Sequence, residues 1–402
     1  MLLKYLMEIV MDNTVVIVSA CRTPIGSFGG VLSSFSAPRL GAIVIEEALK
    51  RAGVKKELVN EVIMGCVLPA GVGQAPARQA AIFSGLPESV QTLTVNKVCG
   101  SGLKAIMLGT QAIRLGDADI IVAGGMESMS NTPYLLEKAR TGYRMGHGQL
   151  VDSMVKDGLW DVYNNYHMGN AAELCAKECH ISRESQDDFS EMSYKRAIES
   201  QKNGAFKEEI VPVKIEQKGS DPLVISEDEE PKKVKFDKMR TLKPAFDKEG
   251  TVTAANASKI NDGAAAVVLM SEAKAKELGI TPLAKIVSYG SYAQKPEWFT
   301  TAPAYAMQNV AAKASMKLED IDLFEINEAF AVVSLAVNQI LGLDMNKINV
   351  NGGAIALGHP IGASGARIMV TLLHALKQRN AKTGMASICI GGGEASTVIV
   401  QR

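Results

Sequence analysis

The sequence predicts an α/β protein made of two duplicated halves. Three observations carry that prediction: apolar strand-like runs alternate with amphipathic helical ones, four blocks recur in the same order, and glycines cluster where strand gives way to helix. VVIVSA (15–20) recurs as AKIVSY (284–289), and ALKRAGVKKELVNEVIMG (48–65) recurs as AAKASMKLEDIDLFEIN (311–327). The strand, small-residue turn and helix around Cys99 recur around His359. IVAGGMES (121–128) then recurs as ICIGGGEA (388–395), with both glycine pairs and both glutamates in step. Strands as apolar as DIIVAG and ASICIG, separated by helices, predict mostly parallel, buried sheets. The first copy, 1–280, is much longer than the second, 281–402. Its excess lies between about 130 and 250, is richer in charge, and reads as an inserted loop domain that includes the solvated run SEDEEPKKVKFDK (226–238).

Composition removes several classes of function. Lys+Arg and Asp+Glu both number 43, so no basic surplus supports nucleic-acid binding. Six cysteines without paired spacing point to a reducing, cytoplasmic setting. Cys175 and Cys179 lie on one helical face but lack the further ligands a zinc site needs, so no metal centre is expected. No apolar run reaches membrane-spanning length. The opening MLLKYLMEIVM is interrupted by Lys4 and Glu8 and reads as neither a secretory nor a mitochondrial signal, with Met11 an alternative start. GQAPARQA and SFGG are not the dinucleotide fingerprint and there is no Walker A motif, so neither a nicotinamide cofactor nor nucleotide binding by that motif is implied.

The reactive residue types gather at the glycine clusters. Cys99 closes the run TLTVNKV and is followed by Gly100, Ser101 and Gly102, ahead of the helical LKAIMLGTQAIRLG. A thiol at a helix N-terminus meets the positive end of the helix dipole, which favours thiolate. His359 sits in NGGAIALGHPIGASGAR, again ahead of a helix, and Cys389 ends a buried run directly before Gly391, Gly392 and Gly393. Glycine at this density costs chain entropy, so close approach of the backbone to a ligand or oxyanion explains it better than packing. Two cysteines and a histidine at such junctions are the arrangement for a thiol nucleophile, an activating base and a second acid/base. Asn327 of NEAF also reads as an Asx cap for the helix after it.

These segments, with VVIVSACRTPIGSFGG, DADIIVAGGMESMS, DGLW, YHMG, GTVTAANASKINDGAAA and EINEAFAV, occur in an order that resembles the thiolase family over nearly the whole chain. The resemblance implies a layered α-β-α-β-α core of mixed sheets and acetyl-CoA C-acetyltransferase activity through an acetyl-cysteine, with coenzyme A as substrate and no separate cofactor. It implies that Cys99 is acylated, that His359 activates it, that Cys389 moves the α-carbon proton, and that Asn327 holds a catalytic water. The oxyanion donors expected for both half-reactions are the N–H groups of Cys99 and Gly391 and the side chains of His359 and, through water, Asn327. Leu159, His167, Met168, Phe246, Ala254, Ser258 and Phe330 would line the coenzyme A tunnel, with Lys232, Lys233, Lys235 or Arg240 meeting the phosphates. Phe299 would wall off the acyl pocket. Carbonyls of Ala254, Ala255 and Ala257 would form at most a weak monovalent-cation site, because Pro231 stands where potassium-activated relatives place a tyrosine. The expected partners are acetyl-CoA, acetoacetyl-CoA, CoA and further copies of the chain, as a dimer or tetramer. A broad-chain 3-ketoacyl-CoA thiolase and a non-catalytic lipid- or CoA-binding relative are the alternatives; Cys389 in CIGGGE argues against a decarboxylating or elongating condensing enzyme.

Overall fold

The computed structural model describes residues 14–402, so the readings of the opening segment and of Met11 lie outside the described residues. The first half runs β1 (Val15–Arg22), α1 (Ala37–Ala52), β2 (Glu61–Gly65), α2 (Pro76–Phe83), β3 (Gln91–Val95), α3 (Ser101–Leu115) and β4 (Ile120–Ser128). An insert follows, holding α4 (Met168–Glu178), α5 (Arg183–Lys202) and the hairpin Val213–Gln217/Ser220–Ile225, before β5 (Asn261–Ser271) and α6 (Glu272–Leu278). The second half runs β6 (Ala284–Ala293), α7 (Ala302–Lys313), β7 (Leu323–Ile326), α8 (Ala331–Leu341), α9 (Ser364–Gln378), β8 (Thr383–Ile390) and β9 (Glu394–Gln401).

The strands lie in the order β7-β8-β9-β6-β1-β5-β4-β2-β3, with the two half-sheets joined by a short β1·β6 ladder. Helices α1 and α2 cover the first half-sheet, α7 and α8 the second, and α3 and α9 lie between the two, which makes the five layers. The expectation of mostly parallel sheets is corrected. Only β2·β3, β2·β4 and β7·β8 are parallel, because each half ends in a strand that doubles back antiparallel: β5 on β4, and β9 on β8. In the second half that return is the tight turn Gly391–Gly393; in the first it is opened by the insert.

The duplication extends to a backbone irregularity. A register shift falls between Ile17 and Ser19 where β1 pairs with β5, and another between Ile286 and Ser288 where β6 pairs with β9, at matching places in VVIVSA and AKIVSY. The last repeated block needs a new register, however. Glu61 pairs with Ile121 as Leu323 pairs with Gly384, so the sheet aligns Ile121 with Gly384 rather than Ile388. Glu127 therefore lies inside β4, opposite Gly263, whereas Glu394 opens β9, and the glycine pairs are not equivalent.

The insert is bolted to the core. Arg22, at the end of β1 and fully buried, donates Nε–H to Glu209 at 2.6 Å and its two Nη groups to Asp228 at 2.6 and 2.8 Å. A buried guanidinium is tolerable only with such matched carboxylates, and removing either side would leave an unpaired charge.

Candidate active site

The two central helices cross at their first turns. A Cβ on Gly102 would lie 2.7 Å from Ala366 N, and one on Gly365 would lie 2.3 Å from Leu103 N, so only glycine allows the approach. The crossing sets the N-terminus of α3, which carries Cys99, beside that of α9, which carries His359 in the loop before it. The helix pair thus brings one residue from each half to one place.

Cys99 follows Val98, whose φ of 44° turns the chain out of β3. The turn is pinned by Ser101, whose hydroxyl donates to Val98 O and accepts from Lys97 N–H. Burial pushes the Cys99 thiol up to about 11, against the N–H groups of Gly391 and of Cys99 itself, which pull it down. Desolvation is the largest of these causes and favours the thiol, so the sulfur needs a base to give up its proton.

His359 has the setting that a base requires. Gly358, with φ 110°, turns the chain into it, and the N–H of His359 donates to Asn261 Oδ1 at 2.9 Å. Ser364 donates its hydroxyl to Pro360 O at 2.9 Å, so its oxygen is left to accept Nδ1–H of His359 at 2.5 Å. That fixes the tautomer with Nε2 bare. Nε2 is buried and has no protein partner. Burial, and then the Arg367 guanidinium, push this imidazole down to about 3, which keeps it neutral and able to accept a proton at physiological pH.

Cys99, His359 and Gly391 line one apolar cavity of about 300 Å³. Cys389, 1% exposed, sits behind its wall near the end of β8, packed with Met168, Phe299 and Phe330. Burial raises its pKa, and the charge of Cys99 raises it further. Asn327, just after β7, is buried, and both polar atoms of its side-chain amide lack a protein partner. It is not a helix cap: α8 is preceded by Phe330, with no side-chain bond to the helix end. Asn327 is not among the residues of the cavity wall, and its orphaned amide marks a buried position where a water belongs.

Of the expected lining residues, Leu159, His167, Met168, Phe246, Ser258, Phe299 and Phe330 are on the cavity wall. His167 stacks on Phe246 at 4.8 Å, Phe246 meets Phe330 edge-on at 6.2 Å, and Phe330 meets Phe299 at 6.3 Å, so a connected aromatic wall bounds the space. Ala254 departs from expectation: it is exposed and off the wall, while Ala257 is on it and Ala255 is buried beside it. The carbonyls of Ala254 and Ala257 accept from Lys259 Nζ at 2.6 and 2.9 Å, so this chain's own ammonium occupies them. Pro231 is buried in a short turn. Lys232, Lys233, Lys235 and Arg240 lie off the cavity wall; Lys233 is held by Glu229 and Ser27, and Arg240 by Asp188.

Two residues escaped the sequence reading. Lys259 lines the cavity. Glu127, fully buried, accepts from Val67 N, Leu68 N and Gly362 N, tying the loop after β2 to the loop that carries His359. Burial pushes its carboxyl up to about 7 against those N–H groups. The signals were present, a lysine within small residues in NASKIND and a glutamate inside an apolar strand, but neither is periodic.

Comparison with known proteins agrees with this geometry. Residues 15–273 match the family model described as "Thiolase, N-terminal domain" and 280–402 the one described as "Thiolase, C-terminal domain". The chain is 59% identical to an acetyl-CoA acetyltransferase of Cupriavidus necator, over 96% of this chain and 99% of that one. The crystal structure of a Bacillus anthracis acetyl-CoA acetyltransferase superposes with a TM-score of 0.95 at 43% identity, covering 97% of this chain and 99% of that one. A thiolase from Ascaris suum in complex with coenzyme A superposes with a TM-score of 0.92 at 46% identity, covering 97% and 100%.

Proposed function

This chain belongs to the thiolase family and is an acyltransferase, and from that premise we propose that it catalyses the reversible condensation of two acetyl-CoA to acetoacetyl-CoA and CoA. In the condensing direction, Cys99 sulfur attacks the thioester carbonyl of acetyl-CoA as His359 Nε2 takes its proton. The carbonyl oxygen becomes an oxyanion, which the N–H groups of Cys99 and Gly391 stabilise. The C–S bond to coenzyme A then breaks and the departing thiolate takes the proton from His359. A second acetyl-CoA gives an α-proton to Cys389 in its thiolate form, its enolate attacks the acetyl-Cys99 carbonyl, and that proton then passes from Cys389 to the released Cys99 sulfur, so both cysteines return to their starting states. The Cys99 thiolate leaves as acetoacetyl-CoA forms, and the oxygen of the second thioester is held by His359 and, through water, Asn327. In the cleavage direction Cys389 acts as the acid, and its raised pKa keeps it protonated for that step.

The observation that carries this reading is the pairing of a bare, neutral His359 Nε2 with the Cys99 thiol on one apolar wall. Phe299 and Phe330 limit the acyl space, favouring acetoacetyl-CoA over longer 3-ketoacyl-CoA. Coenzyme A is the partner named for the Ascaris suum relative. A cytoplasmic homo-oligomer belongs to the same proposal, and six free cysteines support a reducing setting; among the described residues no helix is long and apolar enough to cross a membrane. The test is to incubate the protein with acetoacetyl-CoA and CoA and follow loss of the enolate absorbance. Rapid CoA-dependent loss with acetyl-CoA as product is expected; binding without turnover would replace this reading with the non-catalytic one.

A further inference from the structure

Among the described residues, Lys259 is the one lysine on the cavity wall. Its setting differs from that of the lysines in the charged run of the insert. Lys232 and Lys233 pair with carboxylates, those of Glu227 and Glu229. Lys259 Nζ is held by two neutral oxygens, the carbonyls of Ala254 and Ala257, and stands 5.8 Å from the centre of the Tyr194 ring. The two carbonyls fix the nitrogen in place at the edge of the cavity, between Ala257 on its wall and Ala254 outside it. A neutral amine there spends its two N–H groups on them and keeps its lone pair for an electrophile. Burial also draws its pKa down to about 8, against the upward pull of Glu230, so a sizeable share of the amine is unprotonated near neutral pH.

We propose that Lys259 is a second acyl acceptor, an N-acylation site inside the cavity in which the thioester is opened. The proposal rests on the acyl-CoA reading above. The step balances without any further reagent: Nζ adds to the thioester carbonyl, the C–N bond forms, the C–S bond breaks, and the leaving thiolate takes the proton that nitrogen sheds. The products are an amide on Lys259 and a free thiol, with nothing oxidised or reduced. Either acetyl-CoA or acetyl-Cys99 supplies the acyl group. The amide keeps one N–H where the ammonium had three, so one of the two carbonyls loses its donor, and the acyl group takes up space on the cavity wall. An enzyme left with excess acyl-CoA therefore slows itself.

The experiment uses the full chain with carbon-14 acetyl-CoA at pH 8, followed by digestion after glutamate. Residues 250–272 form one fragment, in which Lys259 is the one lysine and there is no cysteine, so label on it cannot be acetyl-cysteine. The expected result is label on this fragment at a rate about tenfold or more above that of Lys50, an exposed lysine outside the cavity. Activity should fall in step with Lys259 occupancy, and a Lys259→Arg variant should lose both the label and the decline. Label that persists in Cys99→Ala identifies acetyl-CoA as the donor; label that vanishes identifies acetyl-Cys99. Label on the Cys99 fragment alone, or on 250–272 no faster than on Lys50, overturns this proposal and leaves the catalytic reading standing. Label on neither overturns the catalytic reading as well.

Discussion

Replacing Gly365 by alanine tests whether the helix crossing places the catalytic pair. The new Cβ would lie 2.3 Å from Leu103 N and 2.8 Å from Leu103 Cβ, and the first of these is backbone and cannot swing away. Ordinary contact needs roughly 3.5 Å, so α3 and α9 must part by about 1 Å at the crossing. The strain costs about 1–3 kcal/mol, of which alanine's better helix propensity returns up to about 1. The larger effect is on rate: parting the first turns moves the His359 loop away from Cys99, and a misplacement of about 1 Å costs on the order of a hundredfold in kcat. Gly109→Ala in α3, the other helix of the crossing pair, is the control, since its Cβ would meet the side-chain ends of Leu269 at 2.9 Å and Ile121 at 3.1 Å, away from the crossing. Urea melts and thiolysis rates of both variants are compared. Gly365→Ala with the control's kcat would show that the crossing does not set the catalytic distance.

Three further outcomes are expected. Phe299→Val should raise kcat/KM for 3-ketohexanoyl-CoA relative to acetoacetyl-CoA by about tenfold, because it removes part of the aromatic wall; an unchanged ratio in the thiolysis assay refutes the wall. Exchanging sodium chloride for potassium chloride at constant ionic strength should leave KM for CoA unchanged, since Lys259 already occupies the Ala254 and Ala257 carbonyls; a several-fold fall would show that these oxygens are open to a free ion. Stability should fall on acidification below about pH 6.5, the unfolded value for histidine, because the unfolded chain binds a proton that His359, held at about 3, refuses. This contributes at most about 1.4 kcal/mol per pH unit, and His359→Gln should flatten the urea-midpoint profile between pH 6 and 4 if that histidine is responsible.

The halves and the reactive residues were legible because both leave marks in composition: repeated blocks, and glycines at strand ends. The strand directions were not. GG in β4 and GGG after β8 look alike in sequence but answer different demands. Gly125 is glycine because a Cβ there would lie 2.1 Å from Gly362 O, whereas Gly392 and Gly393, with φ of 94° and 88°, make the reversal between β8 and β9. Matching them by letter slipped the repeat by four residues and hid the antiparallel return. Lys259 was missed for a related reason: its meaning lies in two carbonyls of its own loop, and backbone acceptors are silent in a sequence.

The placement of the insert has a kinetic consequence. The β8·β9 hairpin closes over Gly391–Gly393, while the β4·β5 ladder must close over everything between Ser128 and Asn261. Loop-closure entropy grows with the logarithm of length, and here the difference amounts to about 3 kcal/mol. Pairing that distant in sequence is slow to nucleate. The half carrying His359 and Cys389 should therefore gain protection from amide exchange early in refolding, and the strand returning from the insert should gain it last.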